Sequence, residues 1–132
     1  MNSVFADSFF FLALLNKRDA RHAKASEFAL SITHPIVTTQ WVLVEVADAF
    51  CHPRNRGLFS ELISYTDMDN RIEIVPANPP LFDRGAQLYL DRPDKAWSLT
   101  DCISFVVMQD RSITEALTGD HHFSQAGFVT LL

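Results

Sequence analysis

Strand-like and helix-like stretches alternate along the whole of this chain, and that alternation limits its architecture more than any other feature. Ser3–Ala6 reads as a short strand, and Ser8–Asn16 is apolar enough for a buried helix. Ala20–Ser31 has the spacing of an amphipathic helix, with Ala23, Phe28 and Leu30 among its core candidates. Pro35–Thr38 predicts a second strand, after which the Thr39 hydroxyl can cap a helix running to about Phe50. Pro53 and Gly57 punctuate the chain before a helix at Leu58–Thr66. Ile72 and Ile74 alternate within a third strand, Arg71–Val75. Pro79 can open a helix to about Leu90. Ser98–Asp110 is apolar on nearly every side, as central helices are. Ile113–Leu117 predicts a fourth strand, Phe123–Ala126 a helical turn and Phe128–Leu131 a terminal strand.

Such alternation favours an α/β fold, a parallel sheet with helices on both faces, and ligands bind beyond the carboxyl ends of its strands. A length of 132 residues suits one domain spanning 1–132. With 48% hydrophobic and 20% charged residues, a disordered chain is excluded. Cys51 and Cys102 are isolated and form neither a CxxC motif nor a disulfide framework, which suits a reducing compartment. No run is long enough to span a membrane. The apolar start, Val4 to Leu15, is broken by Asp7 and lacks a basic leader, unlike a signal peptide. The cytosol is the expected location.

The net charge of −5 counts against a broad basic face for nucleic acid. Carboxylates that hold divalent cations would reverse that field locally. Four acids stand where the alternation would bring them to one end of the sheet. Asp7 follows the first strand and precedes a helix, where capping explains it as well as chemistry does. Glu45 has apolar neighbours on both sides within Trp41–Ala47, so burial would require a cation, a basic partner or a wet cleft. Asp101 stands three residues after Ser98, in the pattern of a capping box. Asp120 follows Gly119, which permits a tight turn, and can cap the next short helix. No lysine or arginine adjoins any of them in sequence. Four like charges in one pocket repel and call for Mg²⁺ or Mn²⁺, which take oxygen ligands.

Around these residues the chain resembles a PIN-domain nuclease of the VapC-like toxin type. The matching segments are Val4–Ser8, Thr38–Val46 around Glu45, Ser98–Cys102, and Leu117–Phe123 leading into Gly127–Phe128. The resemblance implies a three-layer α/β/α fold with a parallel sheet of about five strands. It implies cleavage of single-stranded RNA dependent on Mg²⁺ or Mn²⁺, an antitoxin partner and a homodimer. Asp7, Glu45, Asp101 and Asp120 fall on the acidic cluster, and Ser8 and Thr118 on supporting polar positions. Asp7 and Asp101 would be direct ligands, with Glu45 ligating through water or orienting the nucleophile and Asp120 supporting a second ion.

Arg54, Arg56, Arg92 and Lys95 are candidates for guiding the RNA backbone, against a default of solvated surface. His121 and His122 are adjacent, whereas helical metal ligands usually sit a turn apart, so His122 is read as structural. Cys102 reads as buried and inert, and Trp41 and Trp97 as packing residues rather than base-stacking ones. Phe9–Phe11 is too apolar for one helix face and predicts burial, within the domain or under a second subunit. A PIN nuclease of RNA processing would share the same site without an antitoxin. A non-catalytic interaction domain of the same fold would have little reason to keep all four acids. A phospho-acceptor receiver domain would show paired acids after the first strand and a late lysine, and no lysine follows Lys95.

Overall fold

The computed structural model describes residues 2–132. In chain order the elements are β1 (Val4–Ala6), α1 (Ser8–Leu15), α2 (His22–Ser31), β2 (Ile36–Thr39), α3 (Gln40–Ala49), α4 (Arg56–Met68), β3 (Ile72–Val75), α5 (Pro79–Asp91), α6 (Leu99–Asp110), β4 (Glu115–Leu117), α7 (His121–Gln125) and β5 (Val129–Thr130). The five strands form one parallel sheet in the order β3-β2-β1-β4-β5. Right-handed crossovers place α1–α4 on one face and α5–α7 on the other. The helix contacts follow that division, with α1 against α2, α3 and α4, and α6 against α5 and α7. The result is the three-layer α/β/α arrangement expected from the sequence.

Side-chain caps fix where several helices start at the carboxyl end of the sheet. Thr39 accepts the Val42 N–H at 3.1 Å, and Asn78 accepts that of Leu81 at 2.9 Å just ahead of two prolines. Ser98 and Asp101 form a complete capping box on α6. From Asp101 to Met108, α6 is buried throughout. The α7 helix begins at His121, two residues earlier than its sequence pattern suggests, because Asp120 caps it by accepting the His122 N–H at 2.9 Å.

The core face of α2 differs from expectation. Leu30 is 89% exposed and Ala23 is exposed too, while Ala25 is buried and Phe28 only partly so. Small residues on the inner face let α2 close on α1, and His22 anchors that face with Nδ1 2.8 Å from the Ala13 carbonyl. Arg71, just before β3, holds the far end of α2. Its guanidinium donates to the carbonyls of Ile32 and, at 2.9 Å, of Ala29, while Asp69 accepts from it at 2.6 and 3.0 Å. These bonds satisfy last-turn carbonyls that no backbone N–H reaches. Arg71→Ala should lower stability by about 2 kcal/mol, read as a lower urea midpoint at unchanged m. Lysine should not restore it, since one ammonium cannot span the fork. A shift below about 0.5 kcal/mol would show that the tie is dispensable.

Candidate active site

From β1 the chain crosses to β2 on one side, and the later strands β4 and β5 lie on the other. The sheet therefore opens a crevice at the carboxyl ends of β1 and β4, the topological switch point where α/β sheets bind ligands. Asp7 is the first residue after β1, and Asp120 lies in the turn from β4 to α7. Asp101 is in the first turn of α6, and Glu45 lies midway along α3, which starts where β2 ends.

Asp7 occupies the N-cap position of α1 but makes no side-chain capping bond. Its carboxylate Oδ2 instead accepts the Thr118 hydroxyl at 3.0 Å. The same hydroxyl oxygen accepts the Asp120 N–H at 3.0 Å, so Thr118 links two of the acids. The Ser8 side chain lies beside Glu45. Asp101 accepts the Ser98 N–H at 3.1 Å through Oδ2, which also lies 3.1 Å from His122 Nδ1. Oδ1 of Asp101 receives no hydrogen bond from the described residues and is free for a ligand.

Charge repulsion ties the acids together. Asp7 feels Asp101 and Glu45, Glu45 feels Asp101 and Asp120, and Asp101 feels Asp120. Asp7 is 3% exposed, and burial first, then these neighbours, push its carboxyl up to about 7 despite the Thr118 bond. Burial likewise raises Glu45 and Asp101, with the neighbouring carboxylates adding to it. Among the described residues no lysine or arginine comes within ion-pairing distance of the four; only the two histidines do. Carboxylates that resist ionisation, as Asp7, Glu45 and Asp101 do, with no lysine or arginine beside them, suit a hard divalent cation.

The six polar residues expected at the site thus come together: four carboxylates, with Thr118 bonded to Asp7 and Ser8 beside Glu45. The four expected cations do not join them. Arg54 and Arg56 are exposed on the α3–α4 connection, where Arg56 donates to the Cys51 carbonyl at 3.1 Å. Arg92 and Lys95 sit between α5 and α6, each beside Asp94.

The sequence pattern reads His122 as structural and does not show that it faces the acids. Its imidazole bridges Asp101 and Asp120, with Nδ1 3.5 Å from Asp120 Oδ1. Adjacency to His121 carried no hint of this, because the Asp101 partner lies 21 residues away. Among the described residues, the side chains whose ligand atoms gather three together within 4.8 Å are Asp120, His121 and His122. His121 is largely exposed, however, and the cost that a cation would relieve falls on the buried carboxylates.

Gly119 serves space rather than turn conformation. It is not among the positive-φ residues, and a Cβ there would stand 2.6 Å from the Phe9 ring. Phe10 and Phe11 are fully buried within the chain's own core. Cys102 is buried, and burial, then Asp101, push its thiol up to about 11, so it is no nucleophile.

The chain matches the PIN domain over residues 4–129. It is 30% identical over 129 residues to the 23S rRNA-specific endonuclease VapC20 of Mycobacterium tuberculosis, covering 96% of this chain and 95% of that protein. The crystal structure of M. tuberculosis VapC20, a sarcin–ricin loop cleaving toxin, has a TM-score of 0.86 at 25% identity with 96% of each chain covered. FitAcB of Neisseria gonorrhoeae shares the fold, with a TM-score of 0.69 at 14% identity over 98% of this chain and 96% of that one. Sequence and fold agree over nearly the whole length, and the chain belongs to the PIN-domain family.

Proposed function

We propose that the chain is an endoribonuclease, dependent on Mg²⁺ or Mn²⁺, that cuts single-stranded RNA as the toxin of a toxin–antitoxin pair. The observation that carries this is the cluster of four mutually repelling carboxylates at the switch point with no lysine or arginine beside them. The likeness to VapC20, an rRNA endonuclease, supports the same reading over 96% of the chain.

Asp7 and Asp101 would hold the ion directly, with Glu45 and Asp120 completing the set. A bound divalent ion lowers the pKa of water and neutralises charge on phosphate oxygens. In the hydrolysis a water oxygen bonds to phosphorus, the bond to the leaving ribose oxygen breaks, and that oxygen takes up a proton. Glu45, partly buried beside Ser8, would orient the water and receive its proton. His122 and the Ser98 N–H fix the Asp101 rotamer through one oxygen and leave the other to the ion. Arg54 and Arg56 are exposed cations without an acidic partner among the described residues, suited to the RNA backbone.

An antitoxin and a second copy of this chain are the protein partners that accompany this reading. Exposed Val44, Ile63 and Phe82 beside Trp41 form an apolar patch of the kind that partners cover. No helix among the described residues is long and apolar enough to cross a membrane.

Asp101→Asn tests the metal centre. The amide keeps an oxygen for the capping box, so the fold should persist. Calorimetric Mn²⁺ binding should be lost and RNA cleavage should fall about 1,000-fold. A wild-type protein that gives no Mn²⁺ heat, or an Asn variant that cuts at the native rate, would sink the assignment.

A further inference from the structure

A cleft of about 390 Å³ lies between the end of α5 and the start of α6, lined by Tyr89, Arg92, Lys95 and Trp97 among others. Of its two cationic members, Arg92 is held on two sides. Arg92 donates to both oxygens of Asp94 at 3.0 Å through Nε and Nη2, and its guanidinium lies over the Trp97 ring, 5.1 Å from the centroid. Trp97 is itself fixed. Its ring meets Phe105 edge-on at 5.1 Å, and its Nε1–H donates to Gln125 Oε1 at 3.1 Å.

This construction links the cleft to the chemistry. Gln125 belongs to α7, the same helix whose His122 reaches Asp101 and Asp120. Trp97 immediately precedes Ser98, the cap that holds Asp101. The floor of the cleft and two of the four carboxylates therefore share one set of rigid contacts.

The pairing also says what Arg92 is suited to bind. Asp94 already occupies its fork in a bidentate pair, so a phosphate would have to displace a carboxylate to use it. What remains open is the flat outer face of the guanidinium. Tyr89, 50% exposed, adds a second planar surface in the same cleft. Planar cation and aromatic ring are the two surfaces on which unpaired RNA bases stack. Lys95, whose ammonium is 4.0 Å from Asp94, is the group left for a neighbouring phosphate.

We propose that this cleft is a base-stacking subsite, which takes an unpaired nucleobase flanking the scissile bond against the Arg92 guanidinium face and the Tyr89 ring. Purines, with the larger face, fit it better than pyrimidines. The subsite rests on the ribonuclease reading and assigns it a substrate feature: an exposed, unstacked base next to the cut.

Cleavage of an oligoribonucleotide carrying a single abasic residue, moved position by position around the cut, tests this. In the wild-type protein one flanking position should raise KM about tenfold with kcat unchanged. Arg92→Lys and Tyr89→Ala should each raise KM for intact RNA by a similar factor, and the abasic residue should then have no further effect. A 2-aminopurine at that position should be quenched on binding to the wild type and not to either variant. Lysine keeps the charge and loses the plane, so native KM and quenching in Arg92→Lys would overturn the proposal. A flat abasic scan by an active wild-type protein would overturn it too and leave the ribonuclease intact. A wild-type protein that cuts no RNA would bring down both.

Discussion

Asp7→Asn should abolish RNA cleavage and, in the absence of divalent ions at pH 8, make the protein more stable. Burial and the neighbouring acids raise the Asp7 carboxyl from 3.8 to about 7 in the folded chain. Below pH 3.8 both folded and unfolded chains hold the proton, and the shift costs nothing. Between 3.8 and 7 the folded chain keeps a proton that the unfolded chain has released, so stability falls as pH rises through that window. Above pH 7 the full cost applies, about 4 kcal/mol for a shift of this size. Asparagine removes the charge and leaves an oxygen to accept the Thr118 hydroxyl. The metal-free variant should therefore lose most of the slope between pH 4 and 7 and melt higher by about 13 °C at pH 8. Mn²⁺ should reverse the ranking, since it stabilises only the chain that binds it. Wild-type stability that is level from pH 5 to 8 would contradict the buried charge, and native cleavage by the variant would contradict the site.

Gly85→Ala is expected to destabilise the protein by about 3 kcal/mol, with a drop in melting temperature of about 10 °C. The sign is the informative part. In an open helix, alanine is better than glycine by up to about 1 kcal/mol. In α5, however, a Cβ at position 85 would stand 2.3 Å from Ile103 Cγ1 and 3.2 Å from the Ile103 backbone. The close approach of α5 and α6 depends on that missing carbon, and α6 carries Asp101 at its first turn. Combining the change with Ile103→Ala should make it at least about 1 kcal/mol less costly than in the native background, the mark of a direct clash. A stabilised Gly85→Ala protein would show that the two helices can part without penalty.

Much of the fold was legible in the chain because its signals are local. Hydrophobic period and capping chemistry act over a few residues, so the starts of α3, α5 and α6 at Thr39, Pro79 and Ser98 can be read directly. The α2 helix was misread at Leu30 because its inward face is built of small residues and a histidine, which hydrophobicity undervalues. Gly119 was read as a turn former, whereas it makes room for Phe9, more than a hundred residues away in sequence.

By itself the sequence determined the β/α alternation, hence the parallel sheet and the end of it at which Asp7 and Asp120 would emerge. It also determined that four acids, three of them at helix starts or strand ends and Glu45 amid apolar neighbours, have no basic neighbour in sequence. Capping explained three of those acids equally well, and local pattern could not choose. Tertiary structure decided among these uses. It turned Asp7 away from its cap toward Thr118, kept Asp101 in its capping box, and brought His122 to Asp101 across 21 residues. The physical reason is that repulsion and desolvation depend on distance in space. Only when the crossovers bring β1, α3, α6 and β4 to one crevice do four ordinary carboxylates become a centre that a cation would relieve.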